Sequence, residues 1–207
     1  MIINKETKIY GSFSNNPGNN GCIFFNEAFQ RYNINAIYKS FYSTDAEKLI
    51  MSVRHLNFSG FALSMPLKIQ IMKYLDKIDD AALEIGAVNT VVNNDGFLIG
   101  YNTDWKGVYD FLSSDLKIIN KISILGNGGF SKSIQYTCNK LNINYEIITR
   151  DSWKEISNIK NTIFNATPVD VKHENLIDGR PFTDTGKIIA KFQAIEQFKI
   201  YTGLNYE

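Results

Sequence analysis

Short runs of β-branched and aromatic residues alternate along the chain with stretches whose apolar positions recur every three or four residues. "TKIYGSF" (7–13) and "INAIYKSFY" (34–42) read as strands. Between them "CIFFNEAFQRYN" predicts a helix burying Ile23, Phe24, Ala28 and Phe29 on one face. "LNFSGFALSM" reads as a third strand ending at Pro66, after which "LKIQIMKYLDKI" has helical spacing. "AVNTVVNNDGFLIGYN" predicts a hairpin turned at Asn94-Asp95-Gly96, residue types that tolerate positive φ.

"WKGVYDFLSSDLK" (105–117) predicts a connecting helix, with a boundary in its Ser-Ser-Asp stretch. A second unit then reads strand, glycine turn, helix, strand through "KISILGNGGFSKSIQYTCNKLNINYEIITRD", the βαβ order that needs a crossover helix. "NTIFNATP" predicts a further buried strand. The segment from "TGKIIAKFQ" predicts a helix of about fifteen residues that opens after Gly186 and stops at Gly203. The fold class is therefore α/β: two α/β domains, the first with a mostly parallel sheet, the second a shortened Rossmann-like unit. The expected division is 1–104, 105–185 and a C-terminal helical segment 186–207.

Composition narrows the function classes. With 44% hydrophobic and 21% charged residues, the 207-residue chain has the make-up of an ordinary globular protein. A formal net charge of +1 gives no electrostatic reason for a nucleic acid or an anionic membrane as partner. Cys22 and Cys138 fit no zinc or CxxC spacing, and the opening "MIINKETKIYGSF" has no signal-peptide core, so the chain reads as reduced and cytoplasmic. His55 and His173 form no recognisable ligand pair, and no metal is expected.

Chemistry concentrates in two places. Gly126, Asn127, Gly128, Gly129, Phe130 and Ser131 follow a strand and open a helix, where backbone N–H groups can face a pyrophosphate. Ser131 stands third in the fingerprint and is small enough for close helix–strand packing. The next strand ends at Thr149 and Arg150; an arginine there can pair with a ribose 2′-phosphate through parallel hydrogen bonds, which favours NADP, while adjacent Asp151 keeps NAD open. The other place is "GAVNTVVNNDGFLIGYNTDWKG" (86–107), whose two Asn-Thr pairs and Asp104 suit either a hydroxylated ligand or hairpin turn chemistry.

Three segments together resemble the shikimate dehydrogenase family: "SMPLK" (64–68), "GAVNTVV…GFLIGYNTDWKG" (86–107), and "GNGGFSKS" followed by "TRD" and "NATP". The resemblance runs from about Tyr10 to Gly203, the middle segment being the most specific. It implies NADP on the C-terminal domain, a cyclic hydroxy acid in a cleft against the N-terminal one, and reversible hydride transfer between 3-dehydroshikimate and shikimate, on the route to chorismate and the aromatic amino acids. In the family's pattern Lys68 is the catalytic lysine and Asp104 its partner; Ser64, Asn89, Asp104 and Gln193 bind the small-molecule substrate; the glycine turn, Thr149, Arg150, Asn165, Ala166, Thr167 and Gly186 bind the cofactor. An ammonium beside a carbonyl can stabilise and protonate the oxygen that hydride addition leaves charged, and amide and carboxylate groups suit a polyol ring.

The chain also departs from the family. Asn19 and Gly21 stand where the family has two serines for the substrate carboxylate, and Phe25 stands for a histidine; Ser12 or Ser14 is left to supply the hydroxyl. Only fifteen positions separate Arg150 from Asn165, where relatives carry an extra helix and strand, and a tyrosine-bearing segment is skipped before "DTGKIIAKFQ". A smaller sheet leaves edges for a partner subunit, hence a homo-oligomer is expected. Two readings result: a compact NADP-dependent shikimate dehydrogenase or relative acting on a ring acid such as quinate, and a degenerate paralogue that binds without turnover.

Overall fold

A computed structural model describes residues 3–114 and 119–207. It divides into two compact units, one of Met1–Asn102 with Ala194–Glu207, the other of Thr103–Gln193. The first unit runs β1 (Lys8–Ser14), α1 (Asn20–Arg31), β2 (Ala36–Tyr42), α2 (Ala46–His55), β3 (Gly60–Leu63), α3 (Leu67–Gln70), a 3-10 turn (Ile71–Tyr74), β4 (Lys77–Ile78), α4 (Asp80–Ile85), β5 (Thr90–Asn94) and β6 (Phe97–Tyr101). Its six strands lie in the order β2-β1-β3-β5-β6-β4, and only β5 runs against the rest.

Alternation along the strands feeds two cores. Phe13, Phe61, Val91 and Leu98 pack one face with Leu49 and Val53 of α2 and Leu67 of α3. Tyr10 and Tyr38 pack the other with Phe25, Ala28 and Phe29 of α1 and with Phe198 and Tyr201. The buried face of α1 is thus centred on Phe25, whereas Ile23, expected inside, is 57% exposed. Asn26 ties α1 to the edge strand: its Nδ2 donates to the carbonyl of Tyr38 at 2.9 Å and its Oδ1 accepts from the N–H of Tyr38 at 2.9 Å.

Helical spacing misleads at "LKIQIMKYLDKI". Helix α3 lasts four residues, and the chain leaves its 3-10 continuation at Leu75 because Asp76 N–H donates to Leu98 O at 3.0 Å and Asp79 N–H to Gly100 O at 2.9 Å. Pairing with β6 captures the segment as β4. Helix α2, unmarked in the sequence reading, is capped by Asp45, whose side chain accepts from Lys48 N–H at 3.0 Å. The hairpin forms as expected: Asn94 faces Phe97, with Asp95 at φ +51° and Gly96 at +93° as its two-residue turn. Asp76 buttresses it by accepting from Leu98 N–H at 2.7 Å and from Arg54, which also donates to Gly96 O.

The second unit runs α5 (Asp104–Ser114), β7 (Lys121–Leu125), α6 (Gly129–Leu141), β8 (Asn144–Ile148), a 3-10 stretch (Arg150–Asn158), β9 (Thr162–Asn165), β10 (Leu176–Asp178) and the start of α7 (Asp184–Thr202), whose last turns belong to the first unit. Residues 115–117 of the expected connecting helix lie outside the described residues. The four strands are all parallel in the order β10-β9-β7-β8. Ile122, Ile124, Ile134 and Phe164 form the core on one face, and Leu125, Ile148 and Ile163 that on the other. Strand β10 falls in a stretch that reads as polar, because three residues beside a single neighbour are too few to show a period. Helix α7 opens at Asp184, two residues before Gly186, since Thr183 Oγ1 accepts from Gly186 N–H at 3.2 Å. It ends at Gly203, with φ +74°.

The hydrogen bonds to Leu98 N–H and then Arg54 hold the Asp76 carboxyl below its ordinary 3.8. A depressed carboxyl contributes stability above its unfolded value and loses it as pH falls through the folded one. Asp76→Asn should therefore lower stability at neutral pH and flatten the acid limb below pH 3.8, as read by thermal melts across a pH series.

Candidate functional site

In the first unit the parallel course of β1, β3 and β6, with β5 reversed, brings four polar positions to one edge of the sheet: Ser14 ending β1, Ser64 after β3, Asn89 before β5 and Asn102 after β6. In open α/β sheets this carboxyl edge is where ligands bind. Backbone bonds fasten the positions together. Ser64 N–H donates to Phe13 O at 3.0 Å, Leu63 N–H to Asn89 O at 2.8 Å, and Asn89 N–H to Tyr101 O at 3.0 Å. Lys68, the second residue of α3, accepts through its carbonyl from Val88 N–H at 2.8 Å, so "SMPLK" and "GAVNT" meet. Lys68 is half-buried and Ser64 exposed.

Asn89 and Thr90 are fully buried, and Thr90 Oγ1 donates to Asn89 Oδ1 at 3.0 Å. Thr90 Oγ1 in turn accepts from Gln197 Nε2 at 2.8 Å. Gln197 was missed in the sequence, although it stands four residues after Gln193 and so shares its helix face. Asn102 Nδ2 donates to Ala87 O at 2.9 Å, so its amide serves the fold of the loop before Asn89. Of the two serines left to replace the family's pair, Ser12 Oγ donates to Ser40 Oγ at 3.0 Å within the sheet, while Ser14 lies at its edge and accepts from Asn16 N–H at 3.2 Å.

Asp104 and Gln193 fall in the second unit. Asp104 is 1% exposed and opens α5, where a carboxylate complements the helix dipole. Gly107 of the same helix has no room for a side chain, since a Cβ would lie 2.8 Å from Ile189 O and 3.1 Å from Gln193 Cβ.

The strand order of the second unit reverses between β7 and β9, and the glycine turn leaves β7 at that switch point. Gly126 has φ +94°, and a Cβ on it would meet the Thr167 methyl at 2.8 Å. Gly128, N-cap of α6 without a side-chain cap, would carry a Cβ into open space. Buried Ser131 donates to Gly126 O at 2.7 Å and locks the turn to the helix. Asn127 Oδ1 accepts from Gln135 Nε2 at 3.4 Å. Thr149 and Arg150 are exposed just past β8. Asn165 ends β9 wholly buried, its Oδ1 accepting from the N–H and hydroxyl of Thr167 at 3.0 and 2.7 Å, so that its side chain shapes the Ala166–Thr167 turn. Gly186 stands apart from these positions along the chain, and a Cβ there would lie 1.9 Å from Arg180 O.

Burial pushes the Cys138 thiol up to about 12, which leaves it unreactive. His173 bonds Ile159 O at 2.8 Å and accepts from Asn175 N–H at 3.2 Å. Among the described residues no group of three His, Cys, Asp or Glu is placed to hold a metal ion, and no helix is long and apolar enough to cross a membrane.

Residues 21–91 match the family model of the shikimate dehydrogenase substrate binding domain. A shikimate dehydrogenase-like protein of Haemophilus influenzae is 39% identical over 134 residues, 64% of this chain and 49% of that one. The shikimate dehydrogenase (NADP(+)) of Pyrococcus furiosus is 38% identical over 143 residues, 68% of this chain and 53% of that one. The chain thus spans about half the length of these relatives. The crystal structure of shikimate dehydrogenase from Aquifex aeolicus superposes with a TM-score of 0.85 at 25% identity, covering 100% of this chain and 96% of that one. With the "SMPLK" and "GAVNT" segments fastened at one sheet edge and a glycine turn at the switch point of a second parallel sheet, the chain is similar to the shikimate dehydrogenase family in both sequence and fold.

Proposed function

We propose that the chain is an NADP-dependent shikimate dehydrogenase that interconverts 3-dehydroshikimate and shikimate, with the first unit binding the ring acid and the second the dinucleotide. The observation that carries this reading is the bond from Val88 N–H to Lys68 O, which sets an ammonium-bearing helix beside buried Asn89 at the carboxyl edge of the sheet. The second unit suits a dinucleotide: the side of the turn where Gly128 lacks a side chain is open, and Gly128 at the N-cap of α6 brings no capping side chain to the helix start.

NADP, when bound, supplies or accepts the hydride at its nicotinamide. In reduction of the ketone the carbonyl carbon gains hydride and its oxygen a proton; Lys68 delivers that proton from its ammonium group and regains one from solvent. Asn89, whose Oδ1 accepts from Thr90, binds a ring hydroxyl through its side-chain amide. Ser64 binds through its hydroxyl, and Ser14 takes the part of the missing serine pair. Arg150 pairs with the 2′-phosphate.

The replacement of two serines by Asn19 and Gly21 favours one second reading, a dehydrogenase of a related ring acid such as quinate. Purified protein supplied with shikimate and NADP should produce NADPH, and Lys68→Ala should cut kcat by about 10²–10⁴-fold without unfolding the chain. Turnover of quinate alone selects the second reading, and turnover of neither acid by the folded protein refutes both.

Gly126→Ala should lower the melting temperature, because left-handed backbone costs a non-glycine residue about 1–2 kcal/mol and the added methyl meets Thr167. Gly128→Ala should leave the melt unchanged and weaken NADP binding in a fluorescence titration. Arg150→Ala should raise KM for NADP by roughly tenfold and leave KM for NAD unchanged; an equal rise for both cofactors would contradict the assignment of Arg150.

A further inference from the structure

Asp178 and Arg180 lie outside every motif that suggested the function, yet they form a multiply bonded ion pair. Arg180 Nε donates to both carboxylate oxygens of Asp178 at 3.0 Å, and its NH2 group donates to Asp178 Oδ2 and to Asp170 Oδ1, each at 2.6 Å. The backbone N–H of Arg180 adds a bond to Asp178 Oδ1 at 3.1 Å. Side-chain exposure is 11% for Arg180 and 8% for Asp178, so the pair is largely withdrawn from water. Two charges so placed need the fork geometry seen here to offset their desolvation.

The pair reaches the glycine turn by two routes inside the second unit. The first runs through Asn165, whose Nδ2 donates to Asp178 Oδ1 at 3.4 Å and to Val169 O at 2.9 Å. A carboxylate and a carbonyl only accept, so together they force the amide nitrogen toward themselves and Oδ1 toward Thr167. Thr167 then presents its methyl 2.8 Å from where a Cβ of Gly126 would stand. The second route is Gly179, between the two charged residues. Its N–H donates to Asn165 O at 3.0 Å, and a Cβ on it would lie 2.5 Å from the Phe130 ring, on the first turn of α6. Both walls of the turn therefore lean on the segment that the ion pair ties.

We propose that Asp178 and Arg180 are positioning residues for the dinucleotide, holding through Asn165 and Gly179 the loop walls against which the cofactor docks. This rests on the reading of the glycine turn as an NADP site. Only five residues separate Asp178 from Asp184 of α7, so the pair sits on a short link between β10 and that helix. Thr183 and Thr185 close that link by donating to Asp178 O, each at 2.8 Å.

The test compares the unaltered chain with Asp178→Asn, which removes the charge, and Arg180→Lys, which keeps the charge but loses the fork. NADP affinity is measured by titration, and backbone amide exchange is followed without cofactor. The expected result is Kd for NADP raised about tenfold in Asp178→Asn and less in Arg180→Lys. Faster exchange should be confined to Thr167, Gly126 and Phe130, with the amides of Lys121–Leu125 unchanged. A lower melting temperature with unchanged Kd, or faster exchange throughout the sheet, makes the pair a structural tie only and overturns the proposal. Failure of the unaltered chain to bind NADP sinks the underlying reading and the proposal with it, an outcome distinct from binding that the substitutions do not alter. Should Asp178→Asn fail to fold, Arg180→Lys carries the same comparison.

Discussion

The first unit depends on how the backbone at Val88 and Asn89 is satisfied. Both residues are fully buried, and a buried peptide group left unpaired costs free energy comparable to a lost hydrogen bond. Val88 N–H finds Lys68 O, Asn89 N–H finds Tyr101 O, and Asn89 O accepts from Leu63 N–H. Those partners come from α3, β6 and β3, so three bonds demanded by burial draw three sequence segments to one sheet edge. The antiparallel course of β5 makes this possible, because it starts where β3 and β6 end.

The second unit solves a related problem with less chain. Four parallel strands, with one crossover helix between β7 and β8, still create a reversal of strand order, and the glycine turn sits at that reversal. A turn so close to β9 leaves no room for a side chain at Gly126, and the wall that excludes one is Thr167. Close approach thus converts the polar bonds of Asn165 into the shape of the loop.

What could be read from the sequence follows from the range of the forces involved. The hairpin was legible because Asp95 and Gly96 encode their own turn, and the βαβ unit because its period and glycines are local. The segment after Lys68 was not, because its helical spacing competes with pairing to β6, a partner more than twenty residues away. Phe25 and Phe29 lie in the core as the aromatic run suggests, while Ile23 faces out, since consecutive apolar residues leave the phase of a helix open until Tyr38 stacks on Phe25. Strand β10 and the charge cluster around its end are likewise tertiary products. Asp178, Arg180 and Asp170 look like ordinary surface polarity until the fold aligns them.

The departures from the family pattern in the first unit are coupled by packing. Phe25 stacks on Tyr38 with ring centroids 4.5 Å apart and planes 16° from parallel. A Cβ at position 21 would lie 2.9 Å from the edge of the Tyr38 ring, so the stack that Phe25 makes requires glycine one turn earlier on α1. A serine at 21 and the Phe25–Tyr38 pair are therefore incompatible in this backbone, and the two replacements form one solution. Independent decay of a disused site has no reason to keep such a pair matched. The matched packing of Gly21, Phe25 and Tyr38 makes the two departures on α1 a single structural change, set beside an edge that carries Ser14, Ser64 and Asn89.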